Sequence, residues 1–324
     1  MVRTYEKLNV ASSPHWRDGS ALDLTYKLWL LALAPAMIVS LLMFGWQALR
    51  VLGLAVACSV FLDALVNRIK PSKDFTTNWS SVTFGVILAL MMPYDAAWWL
   101  ILVGCLIMIV VGKKLFGGVG AYPVHPVLLS LAMLHVSWPH RFDFTASMVS
   151  LDLGVKMVEP MRLVKTLGAG AEAAYRWQDL LLGKQVAGIG SGLVLYLLIG
   201  GLLLILFRQI PWHIPVAFIV GNLVMGEVLH LADPVQFATP LFYLLSGGTV
   251  FAAFFLATEY TTSPVNPVPM LLYGFLGGAL LIVIRAFSNY TDGVVFTILL
   301  INLCNPLLDR ITPRVYGIEA AQHA

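Results

Sequence analysis

The chain has 324 residues, of which 59% are hydrophobic and 11% charged, and its mean hydropathy is +0.84. A soluble domain needs roughly a quarter of its residues charged, so soluble enzymes and nucleic-acid-binding proteins are excluded and an integral membrane protein is indicated. The formal net charge of +3 is too small to suggest a polyanionic partner such as nucleic acid.

Residues 1–25 form an N-terminal segment that carries Arg3, Lys7 and Arg17. It contains no apolar stretch followed by a small-residue cleavage site, so we expect no cleaved signal peptide. The first helix is therefore expected to act as the insertion signal.

Apolar runs then follow in two groups of five, which predict an all-α membrane protein with about ten transmembrane helices. The first group comprises residues 28–46, 51–66, 79–92, 98–111 and 126–136. The second comprises residues 191–207, 214–229, 241–257, 270–284 and 293–308. Several runs are short for a bilayer, which favours tilted, broken or re-entrant helices.

A polar stretch, residues 140–185, separates the two groups. The predicted organisation is a cytoplasmic segment 1–25, a first repeat 26–139, an outer loop 140–190, a second repeat 191–309 and a cytoplasmic tail 310–324. Lys and Arg collect at one set of helix ends when the N-terminus is cytoplasmic, and long loops translocate largely regardless of charge. The outer loop is therefore expected on the periplasmic or exoplasmic face.

The two groups resemble each other. Ser81-Val-Thr-Phe-Gly is similar to Gly248-Thr-Val-Phe-Ala, and Lys114-Leu-Phe-Gly is similar to Arg285-Ala-Phe-Ser. Because five helices are an odd number, the second copy would be inverted in the membrane. Chance similarity between Gly- and Phe-rich membrane segments is the alternative.

Ionisable groups inside a membrane are costly, so the acids in or beside the apolar runs are candidates for an ion path. They are Asp63, Glu227 and Glu259. Asp63 and Glu227 can equally be interfacial acids at helix ends. Small residues precede Glu259 and would let another helix or a flat ring approach the backbone, or serve helix packing alone; they are Ser246, Gly247, Gly248 and Thr249.

Motifs for nucleophilic catalysis, for phosphate binding by a P-loop and for a metal-spaced histidine pair are missing from the sequence. The cysteines, Cys58, Cys105 and Cys304, lie in apolar runs and are read as small hydrophobic residues. No metal site is predicted, and any redox or transport chemistry must use a cofactor, an ion path or partner proteins.

Ordered motifs along most of the chain resemble the D subunit of the Rnf electron transport complex, which is related to the B subunit of the sodium-pumping NADH:quinone reductase. They include the run from Arg285 to Asp309, Thr312-Pro-Arg-Val-Tyr-Gly, Ser13-Pro-His-Trp-Arg, Lys114-Leu-Phe-Gly-Gly-Val-Gly, Trp212-His-Ile-Pro and Leu244-Leu-Ser-Gly-Gly-Thr.

The resemblance implies two inverted five-helix repeats, similar to urea transporters, in the inner membrane of a bacterium or archaeon. It also implies a membrane component of a multi-subunit redox pump, which passes electrons between ferredoxin and NAD or a quinone and moves Na⁺ or H⁺. The implied partners are other membrane subunits and flavin or iron-sulfur subunits, together with membrane lipid.

In that family a threonine of the outer loop carries flavin mononucleotide (FMN) through its phosphate. Aligning the family's Thr-Pro-Leu and the Lys-Thr that follows places Glu159 at the acceptor position, with Pro160, Lys165 and Thr166 in register. A carboxylate forms no phosphoester of this kind and repels a phosphate, so covalent FMN is expected to be absent. Moving the acceptor to Thr166 or Thr145 breaks the register. After Ala257-Thr258, Glu259-Tyr260 also departs from the family's Asp-Pro.

Three interpretations of this departure remain open. FMN or riboflavin could bind noncovalently, with Arg162 or Lys165 meeting a phosphate. The chain could lack this flavin and serve as a membrane scaffold or ion-path subunit in a variant complex. It could also be a solute or ion channel on the same fold, because fold does not fix function. The variant redox complex is favoured, since the motifs Tyr290-Thr-Asp-Gly and Pro313-Arg-Val-Tyr are intact.

Overall fold

A computed structural model of the protein describes residues 20–69, 79–148 and 158–311. Three features of the predicted organisation lie outside these residues: the segment 1–19 with its basic residues, part of the outer loop, and the motif that begins at Thr312. Within the described residues the secondary structure is entirely helical.

Helix α1, Ser20–Ile69, contains the first two predicted runs. It is divided at Gly45, whose φ of 58° and ψ of −133° are not helical. Such a backbone conformation is open to glycine and strained for other residues. The two helical parts therefore match the predicted runs 28–46 and 51–66, although no loop separates them.

The rest of the first group follows the predicted order. Helix α2 spans Trp79–Met91, α3 spans Trp98–Leu106 and continues as a π-helix over Ile107–Lys114, and α4 spans Pro126–Ser137. At 1.5 Å per residue, the 13 residues of α2 extend about 20 Å, which is short of the roughly 30 Å hydrocarbon core of a bilayer.

Short helices cover the outer loop: α5, Phe144–Met148; α6, Pro160–Leu167; and α7, Trp177–Leu181. Helix α6 begins at Pro160 because proline fits the first turn of a helix, and it ends at Gly168, whose φ is 67°.

The second group comprises α8, Val194–Leu206; α9, His213–Ala232; α10, Pro240–Leu245; α11, Thr249–Phe251, which continues as a π-helix over Ala252–Leu256; α12, Pro267–Phe287; and α13, Val294–Leu308. The predicted run 241–257 is thus interrupted between α10 and α11. This is one broken helix among the short runs, for which tilted, broken or re-entrant helices were all expected.

Three described helices are long and apolar enough to cross a membrane: Leu22–Ile69, His213–Ala232 and Pro267–Phe287. Four shorter apolar helices, α2, α4, α8 and α13, lie beside them. Large apolar side chains point outward, including Leu42 at 79% exposure and Trp46 at 74%. Such a surface suits lipid rather than water, so the molecule has multi-pass membrane character.

The helices of each group approach closely through small residues. A β-carbon at Gly278 of α12 would overlap the carbonyl oxygen of Phe218 in α9, so only glycine permits this crossing. Close approach through small residues is the usual way that membrane helices gain packing energy. The long pair α9 and α12 thereby supports α10 and α11 beside it.

Candidate functional site

The interruption between α10 and α11 is held by Arg285, near the C-terminal end of α12. Its side chain is fully buried. One guanidinium nitrogen donates to the carbonyl oxygen of Tyr243 at 2.9 Å and to Thr249 Oγ1 at 2.8 Å, and another donates to the carbonyl oxygen of Ser246 at 3.2 Å. Arg285 therefore occupies backbone acceptors that the helix break leaves without helical partners.

Asp292 lies on the other side of the same interruption. Its carboxylate accepts from the backbone N–H of Gly248 at 3.2 and 3.3 Å, and from Arg285 Nη2 at 2.5 Å. A negative charge is favourable at the start of a helix, where N–H groups lack intrahelical partners. One ion pair thus closes both ends of the break.

Gln185, from the end of the outer loop, hydrogen-bonds further backbone groups at the break. Its side-chain nitrogen donates to the carbonyl oxygens of Gly192 and Leu245 at 3.0 Å each, and its oxygen accepts from the N–H of Gly247 at 3.0 Å. The polar backbone around the break is therefore satisfied by side chains from three other parts of the chain, as burial requires.

A cavity of about 510 Å³ opens beside this cluster. Four of the five outer-loop residues predicted for the flavin region line it: Glu159, Arg162, Lys165 and Thr166. Pro160 is buried at the start of α6 and is not among the lining residues. Aromatic side chains contribute to the wall, with Phe142 and Phe144 from one side and Tyr290 and Phe296 from the other.

Glu159 lies in the wall of this cavity and is 8% exposed. Its N–H donates to Thr145 Oγ1 at 3.2 Å, and the phenol of Tyr175 donates to the neighbouring carbonyl oxygen of Val158 at 2.5 Å. The pKa of Glu159 is raised to about 7, chiefly by burial and also by the nearby charge of Asp292, while a hydrogen bond with Thr291 opposes the rise. Glu159 is thus poised to change charge near neutral pH.

The two cations predicted to meet a phosphate already have protein partners. Arg162 Nη1 contacts both carboxylate oxygens of Asp143 at 2.9 Å, and Lys165 Nζ donates to the carbonyl oxygens of Ser288 and Tyr290 at 2.6 Å. Burial lowers the pKa of Lys165. A phosphate would have to compete with these contacts.

The side chains that line the outer cavity offer no obvious attachment point for a covalent flavin but leave room for a flavin ring. Glu159 offers no hydroxyl, and the Thr166 hydroxyl donates to the carbonyl oxygens of Arg162 and Leu163 within α6, so neither side chain presents a free acceptor for a phosphoester. The cavity volume and aromatic wall suit a flat ring, since ligand pockets usually measure about 300–1,000 Å³ and are lined by apolar and aromatic groups.

A second charged cluster lies at the start of α2. Lys113 Nζ contacts Asp63 Oδ2 at 3.2 Å, Ser80 Oγ at 2.8 Å and Ser81 Oγ at 2.9 Å. Lys114 contacts the other oxygen of Asp63 at 3.1 Å. Asp63 is 3% exposed, so this acid belongs to a buried ion-pair cluster and not to a solvated helix end.

Glu259 occupies a separate buried cluster that joins the two groups of helices. Its Oε1 accepts from the phenol of Tyr122 at 2.5 Å. Its Oε2 accepts from the N–H groups of Thr261 and Thr262 at 3.0 and 3.1 Å and from Thr262 Oγ1 at 3.2 Å. A buried carboxylate held by several donors is well satisfied.

Other predicted residues have different environments. Glu227 is exposed on α9, and the structure does not bring it to Asp63 or Glu259. At Gly247 and Gly248 the group that approaches the backbone is the Arg285–Asp292 pair: a β-carbon at Gly247 would lie 2.5 Å from Asp292 Oδ1. The small residues therefore accommodate an ion pair, with Val294 of α13 also 3.6 Å from the β-carbon position of Gly248.

Sequence reasoning missed Gln185, Asp292, Lys113 and Tyr122 as site residues. Lys113 and Asp292 carried a signal, because each is a charge beside a predicted apolar run. Gln185 and Tyr122 carried none, since Gln185 reaches the break through Leu245 and Gly247 and Tyr122 reaches Glu259, all at least 60 positions away.

The fold and these clusters define a class: a polytopic all-helical membrane protein with one charged cluster at the start of its short helix α2 and another at the break between α10 and α11. Residues 9–317 match the NQR2, RnfD, RnfE family, and the chain belongs to it.

Curated relatives cover nearly the whole chain. It is 34% identical over 314 residues to the D subunit of the Na(+)-translocating ferredoxin:NAD(+) oxidoreductase complex of Acetobacterium woodii, covering 96% of each chain. It is 33% identical over 336 residues to the D subunit of the ion-translocating oxidoreductase complex of Alcanivorax borkumensis, covering 97% of this chain and 98% of the relative. The corresponding protein of Vibrio cholerae is 31% identical over 346 residues, 95% of this chain and 99% of the relative.

Proposed function

We propose that this protein is the D subunit of an ion-translocating electron-transport complex of the Rnf type. The observation that carries this function is the end-to-end similarity to relatives that bear this name, at 31–34% identity over at least 95% of the chain. The chain would act as one membrane component of a redox-driven translocase, with ferredoxin and NAD or a quinone as the electron carriers and Na⁺ or H⁺ as the ion.

The finer fold proposed is ten transmembrane segments in two inverted repeats, similar to the urea-transporter fold. Support comes from the two charged clusters. Lys113 ends one helix, contacts hydroxyls at the start of α2 and pairs with Asp63. Arg285 near the end of α12 contacts Thr249 at the start of α11 and pairs with Asp292.

The positions of these clusters favour inversion. Lys113 lies at the start of α2, whereas the carbonyl oxygen of Leu90 near its end accepts from Gly190 and Ser191. Ser191 and Asp292 line the same cavity. A pseudo-twofold axis in the membrane plane relates two inverted repeats, so it would place the Lys113 cluster and the corresponding Arg285 cluster towards opposite faces of the membrane.

The location proposed is the cytoplasmic membrane of a bacterium or archaeon, with the N-terminus and the Lys113 cluster on the cytoplasmic side. The cavity beside Glu159 would then face the periplasm or exterior. The distribution of Lys and Arg among the predicted loops supports this orientation.

The cofactor proposal is that the outer loop carries no covalent FMN. A noncovalent flavin, FMN or riboflavin, could occupy the outer cavity, with its ring against Phe142, Phe144, Tyr290 or Phe296 and polar contacts from Glu159 or Thr166. Bound there, a flavin would supply one-electron and two-electron transfer. The chain's residues would orient the ring and limit its access to water.

The partners proposed are the other membrane subunits and the flavin and iron-sulfur subunits of such a complex. The satisfied break at Ser246–Thr249 favours this role over that of an open solute channel, because Arg285, Asp292 and Gln185 occupy its backbone groups. A chain that conducted solutes through the break would have to displace them.

Deleting the gene and restoring it on a plasmid would test the proposed function. Membranes of the deletion strain should lose NAD or quinone reduction driven by reduced ferredoxin, together with the associated ion uptake into vesicles, and the wild-type copy should restore both. Unchanged activity in the deletion strain would contradict the proposal.

A further inference from the structure

A second cavity, of about 480 Å³, lies where α8 ends and α9 begins. Its lining combines the segment that joins these helices with residues that follow the π-helix Ala252–Leu256. Arg208 and His213 line it, and none of the described lining residues is acidic. The outer cavity, by contrast, contains the carboxylates of Asp143, Glu159 and Asp292.

The guanidinium of Arg208 is available to bind a ligand. Within the described residues this side chain makes no hydrogen bond or ion pair, although its N–H donates to the carbonyl oxygen of Ile205 at 2.9 Å. Its φ is 54°, the one positive φ of a described residue other than glycine. This position after a helix usually holds glycine, so arginine here carries backbone strain without a protein contact that offsets it.

His213 adds a second donor. Its Nδ1 is buried without a hydrogen-bond partner among the described residues, and its ring stacks on Trp212 with centroids 4.2 Å apart and planes at 24°. The stacked ring is held in place, and a ring nitrogen of neutral imidazole can donate to an anionic oxygen. The His213 ring lines the cavity, and a ligand group that reached its unpartnered nitrogen would gain a hydrogen bond.

The surroundings of the cavity indicate a membrane interface. Trp212 is 52% exposed and Tyr260 is 48% exposed, and the phenol of Tyr260 donates to the carbonyl oxygen of Gln209. Tryptophan and tyrosine favour the headgroup level of a bilayer. Leu206 and Val265, both more than 70% exposed, provide apolar surface for acyl chains beside the cavity.

We propose that this cavity binds the phosphate-bearing headgroup of an anionic phospholipid, with Arg208 and His213 contacting the phosphate. Basic pockets between transmembrane helices suit such headgroups. Trp212 and Tyr260 would flank the headgroup at the interface, and the acyl chains would lie along Leu206 and Val265. A free phosphate shares the anion chemistry but would not use this apolar surface.

Native mass spectrometry of the full chain in detergent tests the proposal, with phosphatidylglycerol, phosphatidylcholine and inorganic phosphate as separate probes. The wild type should retain phosphatidylglycerol in preference to phosphatidylcholine. Losing a charge-assisted hydrogen bond should weaken retention of phosphatidylglycerol by about tenfold in Arg208→Gly. Arg310→Gln is the matched control, because this exposed arginine does not line the cavity.

Arg208→Gly also distinguishes a loss of lipid binding from a loss of folding stability. Glycine suits a φ of 54°, so the variant should unfold at the same or a higher temperature than the wild type while it loses the lipid. Equal retention of both lipids by the wild type, equal retention of phosphatidylglycerol by Arg208→Gly, or inorganic phosphate that binds as tightly as the lipid would overturn the proposal. None of these readouts depends on electron-transport activity.

Discussion

The Arg285 guanidinium and the Asp292 carboxylate meet at 2.5 Å and together close the break between α10 and α11. Arg285 donates hydrogen bonds to the carbonyl oxygens on one side of the break, and Asp292 accepts a hydrogen bond from the N–H of Gly248 on the other. Neither charge is an isolated intramembrane defect. Each side chain pairs with the opposite charge and also hydrogen-bonds backbone groups that lost their helical partners. A broken helix can therefore persist in a buried setting.

Replacing Arg285 by glutamine should strongly destabilise the protein. The change leaves the Asp292 charge and several backbone acceptors without their partner, and breaking a buried pair costs about 3–5 kcal/mol. Thermal unfolding of the purified chain in detergent measures the effect, with Arg310→Gln as an exposed control. An unfolding temperature equal to that of the control would show that the pair is dispensable.

The buried cluster at the start of α2 should show coupling between its charges. Asp63→Asn leaves Lys113 and Lys114 without their carboxylate, and we expect it to destabilise the fold by about 3 kcal/mol or more. In the double variant Asp63→Asn with Lys113→Met, removal of a second charge should recover part of that loss. A double-mutant cycle on unfolding free energies tests this, and simple additivity would contradict the pairing.

Glu159 should give the protein a pH-dependent stability. Its folded pKa of about 7 is above the ordinary value of 4.5, so folding favours the protonated acid. Stability from this group is fully present below pH 4.5 and is lost as pH rises through about 7, by at most about 3 kcal/mol. The charged groups that influence it are Asp292, Arg285, Arg162 and Lys165, and the phenol of Tyr175 lies nearby in its neutral form.

Unfolding temperatures between pH 4.5 and 7.5 check this prediction in the wild type and in Glu159→Gln. The wild type should lose stability across the interval relative to the glutamine variant, which cannot ionise there. Asp143 provides a comparison: burial is the largest single effect and would raise its pKa, but the hydrogen bonds from Arg162 and from backbone N–H groups, together with the Arg162 charge, lower the pKa below its usual range. Parallel curves for the wild type and Glu159→Gln would contradict the prediction.

The outer loop should carry no covalent flavin. Cleavage after Lys156 and Arg162 isolates a short peptide that contains Glu159, and its mass should be that of the unmodified sequence. The denatured protein should show no flavin fluorescence on a gel. A flavin-bearing peptide from residues 140–185 would refute this, whereas flavin released from the native protein on denaturation would support noncovalent binding.

Neutralising Glu259 should impair ion movement more than neutralising Glu227. Glu259 is buried and receives hydrogen bonds from Tyr122, Thr261 and Thr262, whereas Glu227 is exposed. Under the proposed function, Glu259→Gln should lower ion uptake per electron transferred, and Glu227→Gln should retain it. Vesicle transport assays at matched redox rates make the comparison, and equal coupling in both variants would remove Glu259 from the ion path.

Hydrophobic runs predicted most helix positions because membrane helices need long apolar stretches. The break at Ser246–Thr249 was not predicted, because the small residues there were interpreted as a place of close approach and not as an interruption of the helix. The partners of that break were not predicted either, since Arg285, Asp292 and Gln185 come from distant positions and meet only through tertiary packing. Glu159, Arg162, Lys165 and Thr166 remain predicted flavin residues, and all four line one cavity. The protein partners of the two cations could not be predicted, because they depend on tertiary packing.

The protein composition of the complex purified on this chain tests the central claim most directly. A tagged chain, expressed from its own locus and extracted in mild detergent, should copurify with further membrane subunits and with flavin-containing and iron-sulfur proteins in constant proportion, as identified by mass spectrometry. Recovery of the chain alone, or only as copies of itself, under conditions that keep it folded would contradict its role as a component of an electron-transport complex.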